Sequence, residues 1–229
     1  MSKKTRWHTG LVVATTLLMV IDLWLILIYA PRERVMGDVQ RIFYFHMPLA
    51  WNALLAFSIT FAYSIRYLRT RSARHDRLAA VSAELGTVFT TLTLITGSLW
   101  ARSAWGTYWT WEPRLTTAFI LWLMYIFYLI LRRYIEDRER ARLISSAYGI
   151  VGFINVPIVF MSIRWWRTVH PVLIEPGGVK MDPPMALTLF FSLFAFTVFY
   201  LLLLRERVRL ARLEEGLATL KERLKEAVR

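Results

Sequence analysis

The sequence predicts an all-α, polytopic membrane protein of six transmembrane helices, and three observations predict it. Apolar stretches near the spanning length of ~20 residues occur six times, over 11–30, 49–68, 78–99, 115–131, 143–163 and 185–204. Arginine-rich segments separate several of them, although only 20% of the 229 residues are charged and 56% are hydrophobic. Finally, the basic residues divide by side. Twenty-one Lys and Arg fall in the N-terminus, the second-to-third and fourth-to-fifth connections and the C-terminal tail, against eight in the other three connections. The positive-inside rule makes the richer face cytoplasmic. Both termini then lie inside, which requires the even helix count that hydropathy gives.

The first span could be a secretory signal, but no A-x-A-like cleavage site follows LILIYAPRERV, so it is expected to be retained. The second begins behind FYFHMPLAW, whose His46 lies outside, two residues before Pro48. There the positive end of a helix dipole disfavours imidazolium and leaves the neutral imidazole that metals bind. The third and fourth spans are joined outside by WGTYWTWEPRLTT, residues 105–117, with three of the ten tryptophans. A short external helix over 105–112 would set Trp105, Trp109 and Glu112 on one face and Tyr108 and Trp111 on another. Pro113 suits the first position of the fourth span. An aromatic belt at headgroup level explains Trp7, Trp24 and Trp51; the density at 105–112 favours a platform for a planar ligand.

Pro157 is expected to kink the fifth span. Beyond it His170, in WWRTVHPVLIE, is the second external histidine; Pro171 would hold its backbone extended. His8 and His75 fall in cytoplasmic basic segments. Asp22 and Glu84 lie inside the first and third spans, with functional and structural roles equally open. Residues 1–204 form the membrane domain. In the tail, 205–229, Leu210, Leu213, Leu217, Leu220 and Leu224 follow 3-4 spacing. That pattern predicts a cytoplasmic amphipathic helix continuing from the sixth span, suited to a protein partner or to membrane lipids.

The net charge of +13 does not point to nucleic acid, because the basic residues flank spans instead of forming a recognition surface. With no cysteine, disulfides, thiol redox chemistry and thiolate ligands are excluded. Two imidazoles alone make a poor zinc site but suit the axial positions of a haem iron, whose ring stacks on aromatics. Arg41, Arg102, Arg114, Arg164 and Arg167 could pair with propionates. A second reading is a membrane enzyme or transporter for an anionic lipid, with arginines on phosphates.

The tryptophan-rich stretch resembles the signature of the haem-handling proteins of cytochrome c biogenesis. RIFYFHMPLAW before the second span and RWWRTVH after the fifth match in order and placement. Over roughly residues 10–204 the chain is similar to the haem exporter protein C (cytochrome c maturation protein C) family, with one departure: Glu112-Pro113 stands where that family usually has Asp-Ala. The resemblance implies a non-covalent, b-type, bis-histidine haem at the outer face of the bacterial inner membrane. His46 and His170 would be the axial ligands. Trp105, Tyr108, Trp109 and Trp111 would form the platform, with Arg114, then Arg41, on the propionates. It also implies delivery to a periplasmic haem chaperone, beside ABC-type transporter membrane and ATPase subunits and a small single-helix subunit. Ligand exchange, not bond-making catalysis, would be the mechanism, so the chain is not expected to be an enzyme.

Overall fold

The computed structural model describes residues 3–166, 170, 174–175, 178–179 and 181–228. Arg167, Pro171, Lys180 and Arg229, which entered the charge and backbone expectations, lie outside the described residues. Helix α1 (Lys3–Trp24) runs into one turn of π-helix (Leu25–Tyr29), and a 3-10 turn (Asp38–Ile42) leads into α2 (Phe43–Thr70). There follow α3 (Ala73–Trp105), α4 (Pro113–Tyr134), α5 (Arg138–Phe153), α6 (Asn155–Trp165) and α7 (Pro183–Val228). Two-residue strands β1 (Ile174–Glu175) and β2 (Gly178–Val179) pair antiparallel between α6 and α7.

Six helical segments are long and apolar enough to cross a membrane, with α5 and α6 together making the fifth. The all-α, six-span expectation therefore holds. The large apolar residues left exposed, such as Val13, Leu17, Val20, Ile28, Phe190 and Phe194, are what a hydrocarbon surrounding requires and water would not tolerate in such number. Helix α3 carries Thr87, Thr90, Thr91, Thr93 and Thr96 within its span. Each hydroxyl returns its proton to the carbonyl four residues back, at 2.7–2.9 Å, so none presents an unsatisfied donor to lipid.

Small residues set the central packing. Ala53 and Ala56 of α2 face Ala79, Ala83 and Gly86 of α3, all but Gly86 at 3% exposure or less. A Cβ on Gly86 would lie 2.6 Å from Phe57 Cε1, so glycine is what lets these backbones approach. Phe57 in turn stacks on Tyr125 of α4, with ring centroids 3.6 Å apart.

The break between α5 and α6 falls at Ile154. Pro157 lacks an amide hydrogen and its ring crowds the carbonyl four residues back, that of Phe153, as the expected kink requires. Asp22 and Glu84 each find a partner: Ser192 Oγ donates to Asp22 Oδ1 at 2.6 Å, and Arg207 Nε reaches Glu84 Oε2 at 3.1 Å. The far end of α3 is held more firmly. Buried Asp76 receives both Arg132 guanidinium nitrogens at 2.6 and 2.8 Å, and Arg142 Nε lies 3.3 Å from its Oδ2. The tail continues α7 without interruption to Val228 and leaves its five-leucine stripe exposed.

One element differs. No short helix forms over 105–112: α3 runs on through Trp105 and ends at Gly106, whose φ of 76° closes the helix in the left-handed region that glycine tolerates. Residues 106–112 are irregular up to Pro113 at the start of α4.

Candidate functional site

At the end of the bundle where α2 and α4 begin and α3 and α6 finish, a narrow, mostly apolar cavity opens among the helices. His46, Trp105, Trp109, Arg114 and His170 all line it. Sequence positions up to 124 residues apart thus converge on one chamber.

His46 sits in the first turn of α2 and crosses to α3, where its Nδ1 is 3.1 Å from Thr96 Oγ1. The Thr96 hydroxyl already donates to Leu92 O at 2.8 Å, so it accepts from the imidazole. Nδ1 therefore carries the hydrogen, and Nε2 has the electron pair that a metal needs. The ring lies over Gly97, where a Cβ would be 2.9 Å from Cε1. Thr93, Thr96, Gly97 and Trp100 share one face of α3. Trp100 is buried, with its ring 6.5 Å from His46 and 6.4 Å from Trp105.

Trp105 meets His170 edge to face at 5.2 Å. His170 Nδ1 is also hydrogen-bonded to Glu112 Oε1, and both side chains are well covered, at 15% and 10% exposure. Burial pushes the His170 imidazole below its usual range, against the opposing pull of the Glu112 carboxylate. The ring is thereby kept neutral near pH 7, the state that ligates iron.

The irregular segment is stitched to α3 by Ser98 Oγ donating to Tyr108 O at 2.7 Å and by Arg102 donating to Gly106 O. The Arg102 guanidinium lies over the Tyr108 ring at 5.6 Å. This seating splits the aromatics. Trp105 and Trp109 face the cavity, while Tyr108 and Trp111 line a wider groove on the outside of α3 and α4, together with Trp109, Phe119 and Trp122. Arg114 lines the cavity and donates to Val159 O of α6 at 3.2 Å. Arg41 does not join it: Nε bonds Asp38 Oδ1 at 3.1 Å and another nitrogen bonds Ile26 O, away from the chamber.

Sequence reasoning passed over Thr96, Gly97 and Trp100; their shared helical face was the available signal. Two indole donors, Trp100 Nε1 and Trp109 Nε1, are buried without a partner among the described residues. Buried donors of that kind call for an acceptor, and a porphyrin's carboxylates supply one. No group of three or more His, Asp or Glu able to hold a bare metal ion occurs among the described residues. Two imidazoles, indole walls, orphaned N–H groups and an arginine fit an iron porphyrin better than an ion.

The model of a family described as "Heme exporter protein C" matches residues 1–223. The chain is 35% identical to the "Heme exporter protein C" of Bradyrhizobium diazoefficiens, covering 87% of this chain and 80% of that one. With the protein of that name in Escherichia coli K12 it shares 32% identity, over 79% and 74% of the two chains. A Marchantia polymorpha protein described as a "putative cytochrome c biosynthesis ccmC-like mitochondrial protein" is 31% identical, over 84% and 82%. With its six spans, and with a match running nearly from end to end, the chain belongs to the heme exporter protein C family.

Proposed function

We propose that the chain binds haem b non-covalently between His46 and His170 and delivers it to a periplasmic haem chaperone during cytochrome c maturation. The observation that carries the reading is the single cavity lined by both imidazoles, Trp100, Trp105, Trp109 and Arg114. Haem is cargo here, and its iron supplies two axial positions that the histidines fill. Trp105 and Trp109 offer apolar faces to the ring; Trp111 and Tyr108 extend that surface into the adjoining groove. Arg114 and the two indole N–H groups are the donors for propionates.

The charge asymmetry supports a periplasmic position for this end, with both termini in the cytoplasm. Residues 1–204 then form the haem-handling domain and 205–229 a cytoplasmic tail. Ligands placed at helix ends and in a connection release cargo more readily than ligands inside helices. Hand-over by ligand exchange needs no covalent step by this chain, which acts as a carrier and not as an enzyme. ABC-type transporter membrane and ATPase subunits and a small single-helix subunit are the partners that family membership suggests.

The test is direct. The protein purified with haem is expected to give a six-coordinate low-spin spectrum, and His46→Ala and His170→Ala are each expected to lose it. Haem content and spectrum unchanged in both variants would overturn the axial assignment.

A further inference from the structure

We propose that Glu112 is the positioning residue for His170, fixing its ring and strengthening it as a ligand, so that His46 is the histidine surrendered at hand-over. The inference rests on the haem reading above and adds a direction to it.

His170 lies outside the helices. Among the described residues, its ring meets the edge of Trp105 and the Glu112 carboxylate at Nδ1. Glu112 occupies the N-cap of α4 with extended backbone (φ −68°, ψ 158°), yet its side chain makes no capping bond. Shorter Asp, Asn or Ser side chains cap best, whereas Glu reaches past its own helix. Pro113 follows it at the first helical position, where a missing N–H costs the helix nothing. The carboxylate is instead turned to His170 across 58 positions of sequence.

An ionised acceptor at Nδ1 has two effects. It fixes the hydrogen on Nδ1, which directs Nε2 to the metal, and it raises the basicity of the ring. His46 has the same tautomer, but its acceptor is the neutral Thr96 hydroxyl. Charge-assisted bonds are roughly twice as strong as neutral ones, so the two ligands are unequal by construction. In the exchange, the Fe–Nε2 bond to His46 breaks as a donor atom of the recipient binds in its place, with no change of electron count at iron. Through that step the Glu112–His170 pair keeps the haem anchored.

The test uses the full-length protein loaded with haem. In a His46→Ala background, ferrous haem held by His170 alone is expected to show a high iron–histidine stretching frequency by resonance Raman spectroscopy. Adding Glu112→Gln, which keeps the shape and an acceptor oxygen, should lower that frequency. In the otherwise intact protein the same change should weaken the preference for ferric iron. A tenfold weakening would raise the midpoint potential by 59 mV. Glu112→Ala should cost about 10–100-fold in haem affinity, with Glu112→Asp recovering part of it. With bis-histidine binding intact, exogenous imidazole should displace His46 before His170.

Unchanged stretching frequency and potential in Glu112→Gln, or displacement of His170 first, would overturn the proposal. The haem reading fails separately, and only if the two histidine-to-alanine spectra match the parent protein.

Discussion

Gly97→Ala probes the site through a single methyl group. A Cβ at this position falls 2.9 Å from His46 Cε1 and 3.4 Å from Nδ1. Ordinary carbon contacts lie near ~3.5–4.0 Å, so the ring must withdraw by about 0.5–1 Å. That shift equals or exceeds the ~0.5 Å tolerance of a binding constellation. It also pulls against the 3.1 Å bond to Thr96 Oγ1. The fold should barely register the change. Alanine gains about 1 kcal/mol of helix propensity over glycine, which offsets much of the ~1–3 kcal/mol that overpacking costs. Ligation should register it clearly, with a loss of about 1.4 kcal/mol giving tenfold weaker haem retention. The assay is haem content and visible spectrum of the purified protein, beside a thermal melt. Gly10→Ala, where nothing lies within 4 Å, is the control. A Gly97→Ala protein that folds and keeps full haem with an unaltered low-spin spectrum would refute the reasoning.

Three further outcomes are expected. Asp76→Asn leaves Arg132 and Arg142 without their shared carboxylate; breaking a buried pair costs about 3–5 kcal/mol, visible as a lowered melting temperature in detergent. Because burial holds the His170 pKa below the ordinary value of ~6.5, the folded loop takes up fewer protons than the unfolded chain. Its stability is therefore complete above ~6.5 and is lost as pH falls through the lowered folded value. A pH titration of the low-spin band should have its midpoint below ~6.5, and one at or above that figure would contradict the sign. Ending the chain at Leu204 removes the Arg207–Glu84 and Arg77–Glu215 pairs. Such partly exposed contacts are worth about 0.2–1 kcal/mol each, so the haem spectrum should not change.

Hydropathy and proline placement made most of this fold legible. The six spans, the break ahead of Pro157 and the long final helix follow from local pattern, because a bilayer leaves helices few alternatives. The external tryptophans misled for a physical reason. Their spacing suits a helix, but Gly106 closes α3 in the left-handed region, and Ser98 and Arg102 bind the backbone that follows. Arg41 was readable as a cation facing outward but not as the partner of Asp38 and the Ile26 carbonyl. His46, His170, Trp105, Trp109 and Arg114 were singled out in sequence and meet at one cavity. Glu112 was noticed as a departure from a motif; that its carboxylate meets His170 depends on how α4 and the last connection fold back together, which no local pattern encodes.

The Asp76 cluster has a mechanical consequence. Around it, charged groups fasten neighbouring helices together: Arg132 and Arg142 on Asp76, Arg207 on Glu84, Arg77 on Glu215. Near the histidines, the described ion pairs stay within residues 32–41 or tie His170 to Glu112. Separating helices at the fastened end strips buried Asp76 of its partners, at about 3–5 kcal/mol, and breaks the partly exposed pairs at about 0.2–1 kcal/mol each. Separating them at the other end forfeits dispersion contacts that a flat apolar guest restores. Ion pairs between helices are therefore concentrated at the Asp76 end of the bundle, and the histidine end is held mainly by apolar contacts and hydrogen bonds.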